Sequence, residues 1–139
     1  MKQRAFGPDR SDVFVYQVNL ASIAGAANAT STLNIRADAD FIIHKFAMYA
    51  DIAAAIQTDS TRVIPAVTLQ ITDTGPGRQL FSDVTPLGAL FGAGGLPFIL
   101  PGPRRVAAHS TLSFAWNNIS AATTYRIYLS LIGIQIYVR

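Results

Sequence analysis

The sequence predicts an all-β domain built as an antiparallel β-sandwich or barrel. Apolar and polar residues alternate with a period of two in several short runs, and turn-forming residues separate these runs. The chain contains no Glu and only two Lys, the residues on which helical surfaces normally draw. Its 139 residues are the size of one domain with a single core.

The chain is predicted to begin with an N-terminal arm, residues 1–11, that lies outside the core. Lys2, Arg4, Phe6 and Arg10 are candidate contacts of this arm with a neighbouring subunit, and Phe6 would be its anchor. In an isolated molecule, a frayed terminus is the simpler interpretation of such a segment. Residues 12–139 are expected to form the single sandwich domain.

Three strands are predicted in the first half of that domain. Residues 14–20 and 32–37 alternate cleanly, and the small residues 21–29 between them predict a loop or a short irregular edge. Residues 41–50 predict a third strand with Ile42, Phe46 and Met48 on one parity. The stretch 49–56 combines strand and helical spacing, and we expect it to pass from strand into loop.

A fourth strand is predicted at residues 67–72, and a turn at 73–77 ends it. Residues 78–103 hold much of the chain's Gly and Pro and predict a long apolar loop rather than a strand. Its apolar side chains need either the domain's own core or another subunit to cover them. The candidate contacts in and just after this loop are Leu90, Phe91, Arg104 and Arg105.

Two long strands that pair with each other are predicted at the C-terminal end. The first carries Leu112, Phe114 and Trp116 on one face, and the second begins at Tyr125 after a polar turn at 117–120. At Gly133 the apolar positions shift by one residue, so that the apolar face passes to Ile134, Ile136 and Val138. A glycine at such a shift predicts a β-bulge.

Composition limits the partners that this chain can have. Half of the residues are hydrophobic and only 14% are charged, so much apolar surface must be covered by a core or by neighbours. The arginines are scattered and form no basic stripe, and no apolar run approaches a membrane helix. We therefore expect neither nucleic acid nor a membrane as partner. The absence of Cys and of an apolar leader fits synthesis in a cytoplasm.

No motif in the sequence supports catalysis, a metal or a cofactor, and we expect none of them. His44 and His109 have no partner spacing for a metal site or a catalytic triad. Asp38 and Asp40 lie in a turn, where aspartates are ordinary. Asn118-Ile119-Ser120 matches the glycosylation sequon, a short pattern that arises often by chance.

The order of segments over residues 40–137 resembles a known family of structural proteins. The segments are Thr68-Leu69-Gln70-Ile71-Thr72-Asp73, Gly77-Arg78-Gln79-Leu80, Leu96-Pro97-Phe98, Ser110-Thr111-Leu112, Asn117-Asn118-Ile119-Ser120 and Leu129-Ser130-Leu131-Ile132-Gly133. They are similar to jelly-roll capsid cement or decoration proteins of tailed bacteriophages. The resemblance implies a β-sandwich of jelly-roll type that binds the outer surface of an assembled capsid, with the major capsid protein as partner. It also implies a homo-oligomer, a dimer or trimer, made in the cytoplasm of the host bacterium and carried on the virion.

Two other functions stay open at this point. A carbohydrate- or receptor-binding jelly roll would need an exposed aromatic beside polar loop residues, and Trp116 with Asn117 and Asn118 is the best such group. The parity of Trp116 predicts that it is buried instead. A tail or connector component of the virion is the other alternative.

Overall fold

The computed structural model describes residues 11–52, 63–75, 77–90 and 97–137. Residues 1–10 of the predicted arm lie outside this range, and Ser11 is already the first residue of a strand. The elements in chain order are β1 (Ser11–Ile23), β2 (Asn28–Asn34), β3 (Ala39–Ile52), β4 (Val67–Asp73), β5 (Arg78–Gln79), β6 (Thr85–Pro86), α1 (Leu87–Leu90), β7 (Phe98–Val106), β8 (Thr111–Asn118) and β9 (Tyr125–Tyr137).

The strands form two antiparallel sheets whose strand order is that of a jelly roll. Sheet A has the order β1-β9-β3-β7, and sheet B has the order β2-β8-β4-β5, with β6 also paired to β4. The consecutive strands β1 and β2 lie in different sheets, and each pairs with one of the consecutive strands β9 and β8. This wrapping of one antiparallel ribbon around another is the jelly-roll arrangement. The predicted all-β sandwich is confirmed.

The core lies between the two sheets and is built from the period-two positions that the sequence predicts. Leu112, Phe114 and Trp116 of β8 are all buried, as are Ile127 and Leu129 of β9. Burying one such side chain completely is worth roughly 1.5–3 kcal/mol. The core therefore depends on both sheets, since each supplies one wall of it.

The two C-terminal strands do not pair with each other, contrary to expectation. β8 pairs with β2 and β4 in sheet B, whereas β9 pairs with β1 and β3 in sheet A. The connection at residues 119–124 carries the chain from one sheet to the other. Both strands are central in their sheets, and each buries every second residue over most of its length.

Strand β7 was not predicted, because its prolines argued for a loop. Pro101 and Pro103 lie within it, yet β7 is the edge strand of sheet A and its free edge does not require backbone N–H donors. Leu87 of the same region is fully buried, and Phe98 packs against the core from a half-buried position. These two apolar residues are thus covered by the domain itself rather than by a neighbour.

The β-bulge predicted at Gly133 lies on the neighbouring strand. Ile43 is paired with Gly133 and Lys45 with Ile132, which leaves His44 as the extra residue of β3. The pairing of β1 with β9 passes Gly133 without a shift. A Cβ on Gly133 would lie 1.9 Å from the Ile42 carbonyl oxygen, so the glycine is needed because the bulged strand approaches it closely.

The bulge also corrects the predicted parity of β3. Phe41 and Ile43 are buried before it, and Phe46 and Ala50 are buried after it. The prediction that Ile42 and Phe46 lie on the same face of β3 is wrong. The extra residue between them moves the core face by one position. Ile42 instead lies on the outer face of sheet A.

The first strand is longer than predicted, and the second is shifted towards the N-terminus, because β2 ends at Asn34 and residues 35–37 are not strand. β1 continues to Ile23 and β2 begins at Asn28, so most of the small-residue stretch 21–29 is strand around a turn. β3 likewise continues to Ile52, while residues 53–62 lie outside the described part of the chain. Small side chains reduced the apolar contrast on which the prediction depended.

Asn118 ties the β1–β2 turn to the connection between the sheets. Its side-chain amide nitrogen donates to the carbonyl oxygens of Ile23, Ala24 and Thr123 at 3.1, 3.0 and 2.8 Å. Its Oδ1 accepts from the Ser120 backbone N–H at 2.9 Å. Only 1% of Asn118 is exposed, so a glycan on this nitrogen is incompatible with the fold despite the sequon.

Replacing Asn118 with alanine is expected to lower the free energy of unfolding by roughly 2–3 kcal/mol, because one buried and two partly buried hydrogen bonds to carbonyl groups are lost. Urea denaturation followed by tryptophan fluorescence measures this change. Asn117→Ala is the matched control, since Asn117 is exposed, and it should stay within about 0.5 kcal/mol of the parent. Equal stability of the two variants would contradict the assigned role.

Candidate protein–protein interface

The outer face of sheet A, which points away from the core, carries a continuous group of aliphatic side chains. We call this group the aliphatic face. It comprises Val13, Val15, Ile42, Ile99, Ile132, Ile134 and Ile136.

The strand register places these residues in adjacent rows across the sheet. In one row, Val13 is paired with Ile134, and Ile134 is paired with Ile42. In the next row, Val15 is paired with Ile132, which is also paired with Lys45, and Lys45 is paired with Ile99. Residues directly opposite one another on antiparallel strands share a face and contact each other. The rows therefore form one apolar surface over β1, β9 and β3, and Ile99 of β7 lies beyond Lys45 at its border.

Much of this surface is open to solvent. Val13 is 77% exposed, Ile99 64% and Val15 47%, and the isoleucines between them are half-buried. Single exposed apolar residues are ordinary on a protein surface, whereas a contiguous apolar group marks a site of interaction. The aliphatic face is thus the best candidate for a protein contact in the described part of the chain.

The charges around the aliphatic face are few and partly paired. Asp40 forms an ion pair with Arg105. Arg105 lies on β7 opposite Ile42 and so stands at the end of the row that begins with Val13. The second carboxylate oxygen of Asp40 accepts from the Ala108 backbone N–H at 2.8 Å. Lys45 lies within the second row, next to Ile132. A surface with so little net charge suits an apolar partner better than a nucleic acid.

The other half of the same outer face carries amide, hydroxyl and tyrosine side chains and forms a shallow depression of about 420 Å³. The Ser130 hydroxyl donates to Gln17 Oε1 at 2.6 Å, and Gln17 Nε2 donates to Asn19 Oδ1 at 2.9 Å. Tyr49 and Tyr128 contact each other there, with ring centroids 6.1 Å apart. Tyrosine and amide groups around an apolar centre are the usual composition of an interface rim.

An exposed ion pair at one end of the sandwich produces the clearest electrostatic effect. Arg36 donates two hydrogen bonds of 3.0 Å to Asp38 and thereby holds the pKa of that carboxyl below 3.8. This pair stabilises the fold at neutral pH and loses that contribution as the pH falls through the lowered pKa. The hydrogen bond with Asp12 raises the pKa of the Tyr137 phenol above 10. Both groups lie outside the aliphatic face and do not make its contacts depend on pH near 7.

Of the eight contact residues predicted from sequence, three lie in the part of the chain that the structure describes. Lys2, Arg4, Phe6, Arg10 and Phe91 lie outside the described residues. The remaining three are Leu90, the last residue of α1, Arg104, which is half-buried on β7, and Arg105, which borders the aliphatic face.

Sequence reasoning missed the aliphatic face, although one signal for it was present. The apolar shift at Gly133 predicts that the core face continues on Ile134 and Ile136. In the structure the core parity of β9 is unchanged, with Gln135 buried between these half-buried isoleucines. The shift therefore marks the point where the outer face becomes apolar.

Within the described residues, no group of three His, Cys, Asp or Glu side chains is placed to hold a metal. His109 lies exposed in a turn with a φ of 71°. Trp116 is 1% exposed, and its indole N–H donates to Ser31 Oγ at 3.1 Å. Its ring faces are thus covered. No helix in the described ranges is long and apolar enough to cross a membrane.

Fold and surface together define a jelly-roll domain with an aliphatic outer sheet face. No family model and no curated protein matches the chain. Among solved structures it is similar to the Drosophila NLP core, a structure described in terms of pentamer formation and histone binding. The identity is 12%, the match covers 88% of this chain and 97% of the other, and the TM-score is 0.40. A similarity this weak carries no argument about function or assembly.

Proposed function

We propose that the protein is a non-enzymatic structural component of a bacteriophage virion. It binds the outer surface of the assembled capsid and cements contacts between major capsid protein subunits. The aliphatic face is the observation that carries the binding to another protein, because a water-exposed apolar sheet face needs a covering partner. The resemblance of residues 40–137 to capsid cement proteins supports the capsid as that partner.

The size of the outer face is sufficient for a stable contact. Four strands about 4.8 Å apart, with a β9 of 13 residues at about 3.4 Å each, give a face of roughly 800 Å². This equals the area that one partner buries in a standard protein–protein interface. The depression next to the aliphatic face, with its amide and tyrosine groups, would then supply the rim of the same contact.

Cementing acts through differential affinity. A protein that binds the expanded shell better than its precursor stabilises the expanded state by the difference in binding free energy. No chemical step is required, and many weak contacts per particle add up to a large effect. The rigid two-sheet core fits this role, since a preformed surface loses little conformational entropy on binding.

The proposal is tested by mixing the purified protein with precursor and expanded capsids and sedimenting the particles. We expect co-sedimentation with expanded capsids and a higher temperature of capsid disruption. Electron microscopy of the decorated particle gives the location and copy number. Density only at the tail or connector, or no binding to either capsid form, would overturn the capsid assignment.

Deleting residues 1–10 is expected to weaken capsid binding at least several-fold while the sandwich still folds, because β1 begins at Ser11. Circular dichroism checks the fold, and the same sedimentation assay measures binding. If the shortened and full-length proteins bind expanded capsids equally, the arm is not a capsid contact.

A further inference from the structure

Strand β1 has a partner on one side only among the described strands. It lies at the end of the order β1-β9-β3-β7 and pairs with β9 over most of its 13 residues. In an antiparallel strand, every second residue directs its N–H and C=O away from a given neighbour. A long edge of this kind is a template for a further strand.

From Ser11 to Leu20 this edge has few of the features that normally prevent strand addition, and the one register shift in its pairing with β9 lies beyond, between Leu20 and Ile23. The 13 residues of β1 contain one charge, Asp12, and no proline, and the 7 residues of the adjoining β2 contain neither. The opposite edge is protected, since the nine residues of β7 contain Pro101, Pro103, Arg104 and Arg105. Charges and prolines on an edge strand are common protections against pairing. The contrast indicates that one side of the sandwich is left open to a partner strand.

We propose that β1 pairs in antiparallel fashion with β1 of a second copy of this chain, across a two-fold axis. Two identical strands in this arrangement satisfy each other's free edge and close the assembly as a dimer. The two copies of sheet A then form one continuous eight-stranded sheet. Their protected β7 strands become its outer edges, so that growth stops at two copies.

The pairing also joins the two aliphatic faces. Val13 and Val15 lie on β1 itself, so the contact brings the most exposed part of each face next to that of the other copy. The dimer would present one surface of roughly twice the area to the capsid. This consequence, unlike the pairing, rests on the proposed function. Two linked faces raise the effective concentration of the second contact once the first has formed.

The absence of cysteine makes disulfide cross-linking a clean test. Single variants Val13→Cys, Val15→Cys, Gln17→Cys and Asn19→Cys place a thiol along the outer side of β1. Ile99→Cys, 64% exposed on β7, is the matched control. After mild oxidation, we expect disulfide-linked dimers from at least one β1 position, near the axis, and none from Ile99→Cys.

Analytical ultracentrifugation provides the second measurement. We expect the parent chain to dimerise and Asn19→Lys to raise the dimer dissociation constant at least tenfold, because a lysine on the edge opposes pairing. Circular dichroism verifies that each variant folds. A chain that stays monomeric at all concentrations overturns the pairing, as does a dimer that cross-links through Ile99→Cys and through no β1 position.

The pairing and the proposed function fail in different ways. A monomer that binds expanded capsids overturns the pairing and leaves capsid binding intact. A β1-linked dimer that binds no capsid supports the pairing and overturns the capsid assignment.

Discussion

Gly133→Ala is expected to prevent stable folding, with a loss of more than about 3 kcal/mol in the free energy of unfolding. The added Cβ would lie 1.9 Å from the Ile42 carbonyl oxygen and 2.9 Å from its carbonyl carbon. Neither atom is the end of a flexible side chain. Relief therefore requires that β3 and β9 separate in the middle of sheet A, where both are central strands.

The measurement is chemical denaturation of the purified variant, or its soluble yield if it does not fold. Gly102→Ala is the matched control, because Gly102 also lies in a strand of sheet A and a Cβ there meets nothing within 4 Å. We expect this control to retain the stability of the parent within about 0.5 kcal/mol. A Gly133→Ala protein as stable as Gly102→Ala would contradict the close approach of the bulged strand.

Ile134→Lys is expected to reduce capsid binding by at least tenfold while the domain stays folded. Ile134 lies at the centre of the aliphatic face, between Val13 and Ile42. In the free protein, a lysine at this position lays its methylene chain along the sheet and keeps its ammonium group in water. In the complex that group would be buried without a partner, which costs several kcal/mol.

Ile119→Lys is the matched control for this charge. Ile119 is 61% exposed and lies in the connection after β8, outside sheet A. Sedimentation with expanded capsids should show parental binding for Ile119→Lys and a large loss for Ile134→Lys. Equal losses would attribute the effect to net charge, and two unchanged variants would exclude the aliphatic face from the contact.

The sequence predicts those strands well whose apolar contrast is regular. The sequence predicts β4 and β8 with their core faces, because Leu69 and Ile71 on β4, and Phe114 and Trp116 on β8, recur at every second position. β7 could not be predicted in this way. Its prolines argue against a strand unless the strand is known to lie at an edge, and edge position depends on topology.

The bulge and the aliphatic face show a second limit of the sequence signal. Gly133 correctly marked an irregularity, but the extra residue, His44, lies on a strand some 90 positions away in sequence. The register between distant strands decides which one contains it. Similarly, Ile134 and Ile136 are apolar, and period-two patterning alone does not distinguish a core face from an exposed interaction face. The structure distinguishes them. Gln135, which lies between Ile134 and Ile136, is buried, and so is Phe41, its partner on β3.

The central claim is that the outer face of sheet A is covered by another protein in the assembled particle. The most direct measurement is an electron cryo-microscopy reconstruction of the decorated capsid at a resolution that shows side chains. We predict that Val13, Ile134 and Ile42 lie against the major capsid protein. A reconstruction in which this face points to solvent while other surfaces hold the protein on the shell would contradict the account.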